Sequence, residues 1–309
     1  MWDRCQENDW KSHQLHCITP KDRLLRVLNL LTTSMREAQK QWDSATVVRL
    51  GMQCMIDLKY CRFLDQNVQD NAENALFEFL ARSYSRQNQW AMAMQFYDRA
   101  IVVNDRMKDF TRKGRCLYGK AQMQMSLGRY DDAKIVYQAV DDIGRESGDF
   151  ELYGKASLGL SRVAKKSGNV EKAMELAYEA KKAAGLLLDN QWGQNRLEVE
   201  AVILIIELSD IQATDFDDTL IEKALLLGAA VDADPREGGS LHSLQAMELQ
   251  GRRQMFMGQH QDSAKTFAQL LVQAKQSDYR QVPDVSKMVT RVTQHLKVLV
   301  DIGVVDVRV

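Results

Sequence analysis

The stretches NQWAMAMQFYDRA (88–100), GRYDDAKIVYQAV (128–140) and GNVEKAMELAYEA (168–180) decide the fold. Aligned, they set Trp90, Tyr130 and Val170 apart by steps of 40 residues. Three residues later come Ala93, Ala133 and Ala173, and four further on the same face carries Tyr97, Tyr137 and Ala177. Twelve residues before each alanine stands another small residue, Ala81, Ala121 or Ser161. Between the two small residues lie Asn88, Gly128 and Gly168, which tolerate a left-handed backbone and so mark a turn between two helices. Small residues on facing helices let the axes approach, and aromatic rings fill the space beside them.

Composition agrees with helix throughout. Ala, Leu, Gln, Lys, Arg, Glu and Met dominate, and the only prolines, Pro20, Pro235 and Pro283, stand at element edges. Weaker copies extend the pattern in both directions. QWDSA (41–45) and DFDDT (215–219) echo RYDDA, and GQHQDSAKTF (258–267) supplies another turn and second helix. The leading positions then run Trp42, Trp90, Tyr130, Val170, Phe216 and His260, at spacings of 48, 40, 40, 46 and 44 residues. Six helix pairs follow, with the middle three at about 71–187 the clearest. Thr19-Pro20 reads as the cap and first turn of the first helix, with Asp22 favourably placed beside that N-terminus. A last helix should begin at Pro283, run to about Asp301 and close the stack. One pair cannot bury its own apolar face, so stacking has to supply the core.

Net charge and cysteine usage narrow the function classes. Lys+Arg 41 against Asp+Glu 42 in 309 residues gives −1, so bulk attraction to nucleic acid or an anionic membrane is not implied. The longest apolar run, AVILII at 201–206, is far short of the ~20 residues that span a bilayer. The N-terminal residues show neither the basic nor the apolar region of a secretory signal. Cysteines 5, 17, 54, 61 and 116 are odd in number, and the last three lie in apolar-periodic stretches, the usage of a reducing compartment. A cytoplasmic protein is expected, or a nuclear one. The five histidines are scattered, and no G-x-S-x-G, P-loop or H-E-x-x-H occurs, so an enzyme is not expected.

The repeat resembles the tetratricopeptide (TPR) repeat. The first copy carries Phe77, Leu80, Ala81, Tyr84, Ala93, Tyr97 and Ala100 in that family's signature places. Its 40-residue spacing resembles the long-helix subclass found in scaffold proteins, whereas most members repeat every 34 residues. The resemblance implies an all-α, right-handed superhelical solenoid over residues 19–309. It also implies that the first helices of successive pairs line a surface that binds a partner peptide. Carried over residue by residue, the ligand-facing rows are Ala75, Glu78, Arg82, Ser85, Arg86; then Arg115, Tyr118, Gln122, Met125, Ser126; then Lys155, Leu158, Arg162, Lys165, Lys166. Seven of these fifteen are basic and one is acidic. An acidic or C-terminal peptide would suit such a stripe, and a solvated face balanced by neighbours such as Glu73 and Glu151 is the competing account. The two-lysine, two-asparagine clamp of chaperone-binding members is not evident in these rows.

Residues 5–17 resemble the second half of a MYND-type zinc finger, which ends C-Q-x-x-D-W-x-x-H-x3-C. Here Cys5, Gln6, Asp9, Trp10, His13 and Cys17 match. The resemblance implies two cross-braced zinc sites. Cys5 would belong to the first, whose partner place four residues earlier is Met1, and His13 and Cys17 to the second. Neither reaches the four protein ligands of a structural zinc. Cys5, His13 and Cys17 are therefore expected to hold zinc only in a protein with further ligands upstream, and residues 1–18 read as a partial finger. The favoured expectation is an interaction scaffold. The alternatives are a MYND-type transcriptional regulator and, more weakly, a chaperone cofactor.

Overall fold

The structure, a computed structural model, describes residues 19–40, 43–60, 65–209, 216–233, 241–275 and 283–302. These residues are helical, with short connections and no strand among them. They fall into two compact units, one up to Cys116 and one from Leu117, so the boundary lies inside a helix. Repeats touch mainly their neighbours, which leaves local cores in place of a single one.

In the first unit, Thr19 caps α1 (Pro20–Thr32). Its hydroxyl oxygen accepts the Asp22 N–H at 3.1 Å, and proline takes the first helical position as anticipated. The chain breaks at Thr33 into the short α2 (Ser34–Lys40) before α3 (Ser44–Lys59). Asp57 of α3 is fully buried, yet Arg23 reaches it at 3.1 Å and Arg26 holds it through two nitrogens, so two α1 cations compensate one buried carboxylate. Gly51 admits Leu80 of the next helix, where a Cβ would lie 2.6 Å from a leucine methyl. Trp42 and Cys61, like Cys5, His13 and Cys17, lie outside the described residues.

The first of the aligned pairs is α4 (Gln66–Arg86) with α5 (Trp90–Met107). Ala81 and Ala93 are fully buried where the axes meet, and Phe96 stacks on Tyr84 at 5.5 Å. Asn88 takes a φ of 58°, and the Gln89 N–H closes the turn onto the Tyr84 carbonyl at 2.9 Å. The sixth helix, α6 (Phe110–Ser126), carries the unit boundary.

In the second unit the helices are α7 (Tyr130–Ser147), α8 (Phe150–Lys166), α9 (Val170–Ala184), α10 (Gln191–Leu208), α11 (Thr219–Asp232), α12 (His242–Phe256), α13 (His260–Ala274) and α14 (Pro283–Asp301). The turn device recurs at Gly128, Gly168 and Gly258, with φ of 74°, 76° and 73°. In each the next N–H bonds five residues back at 2.9–3.0 Å, from Arg129, Asn169 and Gln259. The small-residue contacts recur too, with a hydroxyl added. Ser161 of α8 donates to the Ala173 carbonyl of α9 at 2.6 Å, and in the fifth pair Ser263 of α13 donates back to Gly251 of α12 at 2.8 Å. Tyr137 is buried against Gly159, where a Cβ would meet its ring at 2.4–2.6 Å.

The run AVILII sits in α10 and is buried all round, packed by α8, α9, α11 and α12. The fourth pair departs from the expected register. Ile221, Ala224 and Gly228 are buried at the places of Tyr97, Ala100 and Asn104, two residues earlier than an alignment on Phe216 gives. Phe216 instead lies under the Arg253 guanidinium at 5.2 Å, while Arg253 pairs with Asp218 at 2.8 Å. The longer α10–α11 connection is what shifts the register. Helix α14 begins at Pro283 and packs on α13, burying Val285, Met288, Val292 and Leu299 as the closing helix.

Candidate functional site

The rows carried over from the repeat lie on first helices, and the structure fixes what each side chain meets. On α4, Arg82 is half-exposed and donates to Glu78 one turn earlier at 2.8 Å. The other Glu78 oxygen accepts from the Asn74 amide at 3.0 Å. Asn71, Asn74, Ala75, Glu78, Arg82 and Arg112 line a cavity of about 240 Å³. Arg112 donates to the Asn71 side-chain oxygen Oδ1 at 2.7 Å, so this cavity is edged by cations that already hold partners.

On α6, Arg115 is exposed. In the second unit the Gln122 amide donates to the Tyr118 hydroxyl at 3.1 Å, and Tyr118 packs against Tyr137 at 5.8 Å. On α8, Lys155 pairs with Glu151 at 2.5 Å, Arg162 with Glu200 at 3.0 Å and Lys165 with Glu207 at 2.7 Å. Lys166 is exposed, as is Ser126. Leu158 corrects the third row: it is fully buried in the core between α8, α9 and α10 and faces no ligand. At least four of the seven basic positions, Arg82, Lys155, Arg162 and Lys165, carry carboxylate partners within their own unit. Within each unit the row is therefore a line of mixed charge.

Glu200 is the centre of that line in the second unit. His242 of α12 stands 3.8 Å from it and Arg196 3.5 Å, besides Arg162. Burial alone would raise its pKa, but His242, Arg162 and Arg196 overcome this and hold the carboxyl well below the usual range. Arg162 is raised in turn: burial opposes its charge, and Glu200 and Tyr118 outweigh it. Burial pushes the Tyr118 hydroxyl up, so it stays a neutral donor and acceptor. Arg162 and Tyr118 thus tie neighbouring first helices together, and what they offer a ligand is an already satisfied polar surface.

The same register reaches α12, which the sequence rows omitted. Ser263 occupies the place of Ala93, so Gln245, Glu248 and Arg252 occupy those of Ala75, Glu78 and Arg82. Counting back from Ser263 as from Ala93 would have found them. These three, with Lys165, Glu207 and Arg291 of α14, line a cavity of about 340 Å³. Glu248 is nearly buried and accepts from Arg291 at both oxygens, each at 2.8 Å.

Among the described residues no three His, Cys, Asp or Glu side chains group to hold a metal ion. Cys54 and Cys116 are buried thiols, pushed up by burial to about 11 and about 12. No described helix is long and apolar enough to cross a membrane.

Comparison with known proteins supports the repeat and the fold. Residues 75–109 match the tetratricopeptide repeat family model. The apo form of RapI superposes with a TM-score of 0.52 at 10% identity, over 84% of this chain and 97% of that one. A Rap protein complexed with Competence and Sporulation Factor gives 0.53 at 12% identity, over 94% of this chain and 79% of that one. At such identities the likeness is one of fold alone. No curated protein matches the sequence. The likeness to a tetratricopeptide repeat is thus carried by residues 75–109, and further antiparallel helix pairs flank them.

Proposed function

We propose that this chain is a non-enzymatic interaction scaffold that binds a partner peptide along the first-helix face of its second unit. The observation that carries the reading is in the second unit, where first helices exchange polar side chains directly: Arg162 with Glu200, Lys165 with Glu207 and His242 with Glu200. Such pairs set polar side chains along the first helices beside the cavity of about 340 Å³, while Leu158, Leu197 and Leu204 of the same helices pack in the core. An extended peptide supplies both hydrogen-bonding signs along its main chain, which suits a face of alternating charge. Lys166, exposed and without a carboxylate partner among the described residues, favours acidic residues in that peptide. The TPR match over residues 75–109 supports a protein partner as a class.

The test is a display of random dodecamer peptides probed with the labelled 309-residue chain. The reading expects reproducible binding to a subset enriched in Asp and Glu, abolished by excess unlabelled chain. A blank display, or binding that ignores peptide sequence, contradicts it.

A further inference from the structure

Arg82, Arg162 and Arg252 occupy one place in the first, third and fifth aligned pairs. Arg82 is neutralised by Glu78 one turn earlier on its own helix, at 2.8 Å. Arg162 is neutralised by Glu200 from the next first helix, at 3.0 Å. Arg252 also has a glutamate one turn earlier, Glu248, at the spacing that pairs Glu with Arg on a helix. That glutamate is taken. Arg291 of α14 bonds its Oε1 through Nε and its Oε2 through a terminal nitrogen, a bidentate pair that an exposed i,i+4 contact does not displace.

Arg252 is consequently an exposed guanidinium with no carboxylate partner among the described residues, on the wall of the cavity of about 340 Å³. The other charges of that wall cancel, Lys165 against Glu207 and Arg291 against Glu248, which leaves one cation in excess. Gln245, one helical face with Arg252, adds an amide to the same wall. The closing helix thus frees an arginine that the same sequence pattern neutralises in the first pair.

We infer that this cavity is a carboxylate-binding subsite in which Arg252 is the recognising group. The inference rests on the peptide-binding reading above and specifies one anchor of the bound chain. Two sources share the chemistry, a peptide's C-terminal carboxylate and an Asp or Glu side chain.

Three small probes separate them in the full chain: N-acetylglycine with a terminal carboxylate, N-acetylglutamic acid α-amide with a side-chain carboxylate, and N-acetylglycinamide with none. Binding is followed by NMR at the Arg252 Nε–H and the Gln245 side-chain amide. One or both carboxylate probes should saturate these signals and the neutral probe should not. Arg252→Gln should weaken the response at Gln245 roughly tenfold or more, as loss of a charge-assisted hydrogen bond implies. Arg291→Gln should weaken it as well, because Glu248 is then released to Arg252. The double variant Arg291→Gln/Glu248→Gln should restore it. Saturation by no carboxylate probe, equal response to the neutral probe, or a double variant as weak as Arg291→Gln would each overturn the inference, the last by making Arg291 the binding cation. A blank peptide display alongside a positive titration would remove the scaffold reading and leave the subsite.

Discussion

Arg82 on α4 and Arg252 on α12 hold the same place in their repeats, each four residues after a glutamate, and they end in opposite states. Arg82 closes onto Glu78, while Arg252 loses Glu248 to a side chain 43 residues away in sequence. The difference shows that repeat register fixes where a charge is displayed, whereas long-range contacts decide whether it remains available. A binding face in this fold is therefore set as much by which glutamates are taken as by where the arginines stand.

Perturbing the carboxylates should grade this comparison. The largest effect belongs to Asp57, whose two oxygens are both held and which no solvent reaches. Asp57→Ala strands two arginines beside a cavity and should cost about 3–5 kcal/mol, read as a fall in denaturation midpoint. Gly251→Ala comes next, because the new Cβ would meet the Phe267 ring at 2.4–2.8 Å. Overpacking there should cost about 1–3 kcal/mol and, by shifting the turn that carries Arg252, should blunt the carboxylate titration as well.

Glu200 provides a pH-dependent case. Its folded pKa is depressed, so its contribution to stability is complete above the ordinary glutamate value of about 4.3 and is lost as pH falls through that value toward the folded one. Melting temperatures of the wild type and Glu200→Gln should differ at neutral pH and converge in acid. A gap independent of pH would mean that Glu200 acts through packing. The smallest effect is Glu78→Gln. It removes the charge of a half-exposed i,i+4 pair and keeps one amide oxygen that can still accept from Asn74. It should therefore cost about 0.3–0.5 kcal/mol, while leaving Arg82 without a carboxylate partner on its own helix.

Much of the fold was legible in the sequence, because it is written in local signals. Asn88, Gly128 and Gly168 announce left-handed turns, the paired small residues announce where helix axes meet, and Pro20 and Pro283 mark helix starts. The fourth pair misled because its connection is longer and Phe216 serves as a platform for Arg253, not as the opening residue of a second helix. The site was less legible. Leu158 and Arg162 fall in the expected row, but one is core and the other is paired with a residue 38 positions on. Arg252 lay beyond the clear copies, and its release depends on α14, which no repeat alignment contains. The segment with Cys5, His13 and Cys17 lies outside the described residues, and its zinc chemistry stays an expectation from resemblance.

The most direct measurement compares two triple charge reversals of equal net change for affinity to a peptide selected on the display. One set, Lys155→Glu, Lys166→Glu and Arg252→Glu, lies on first helices of the second unit; the other, Lys134→Glu, Lys172→Glu and Lys182→Glu, lies on second helices of the same unit. With binding on the first-helix face, the first set should weaken affinity at least roughly tenfold, the loss expected when charge-assisted contacts are removed, and the second should leave it nearly unchanged. Equal losses, or a loss confined to the second set, would contradict the account.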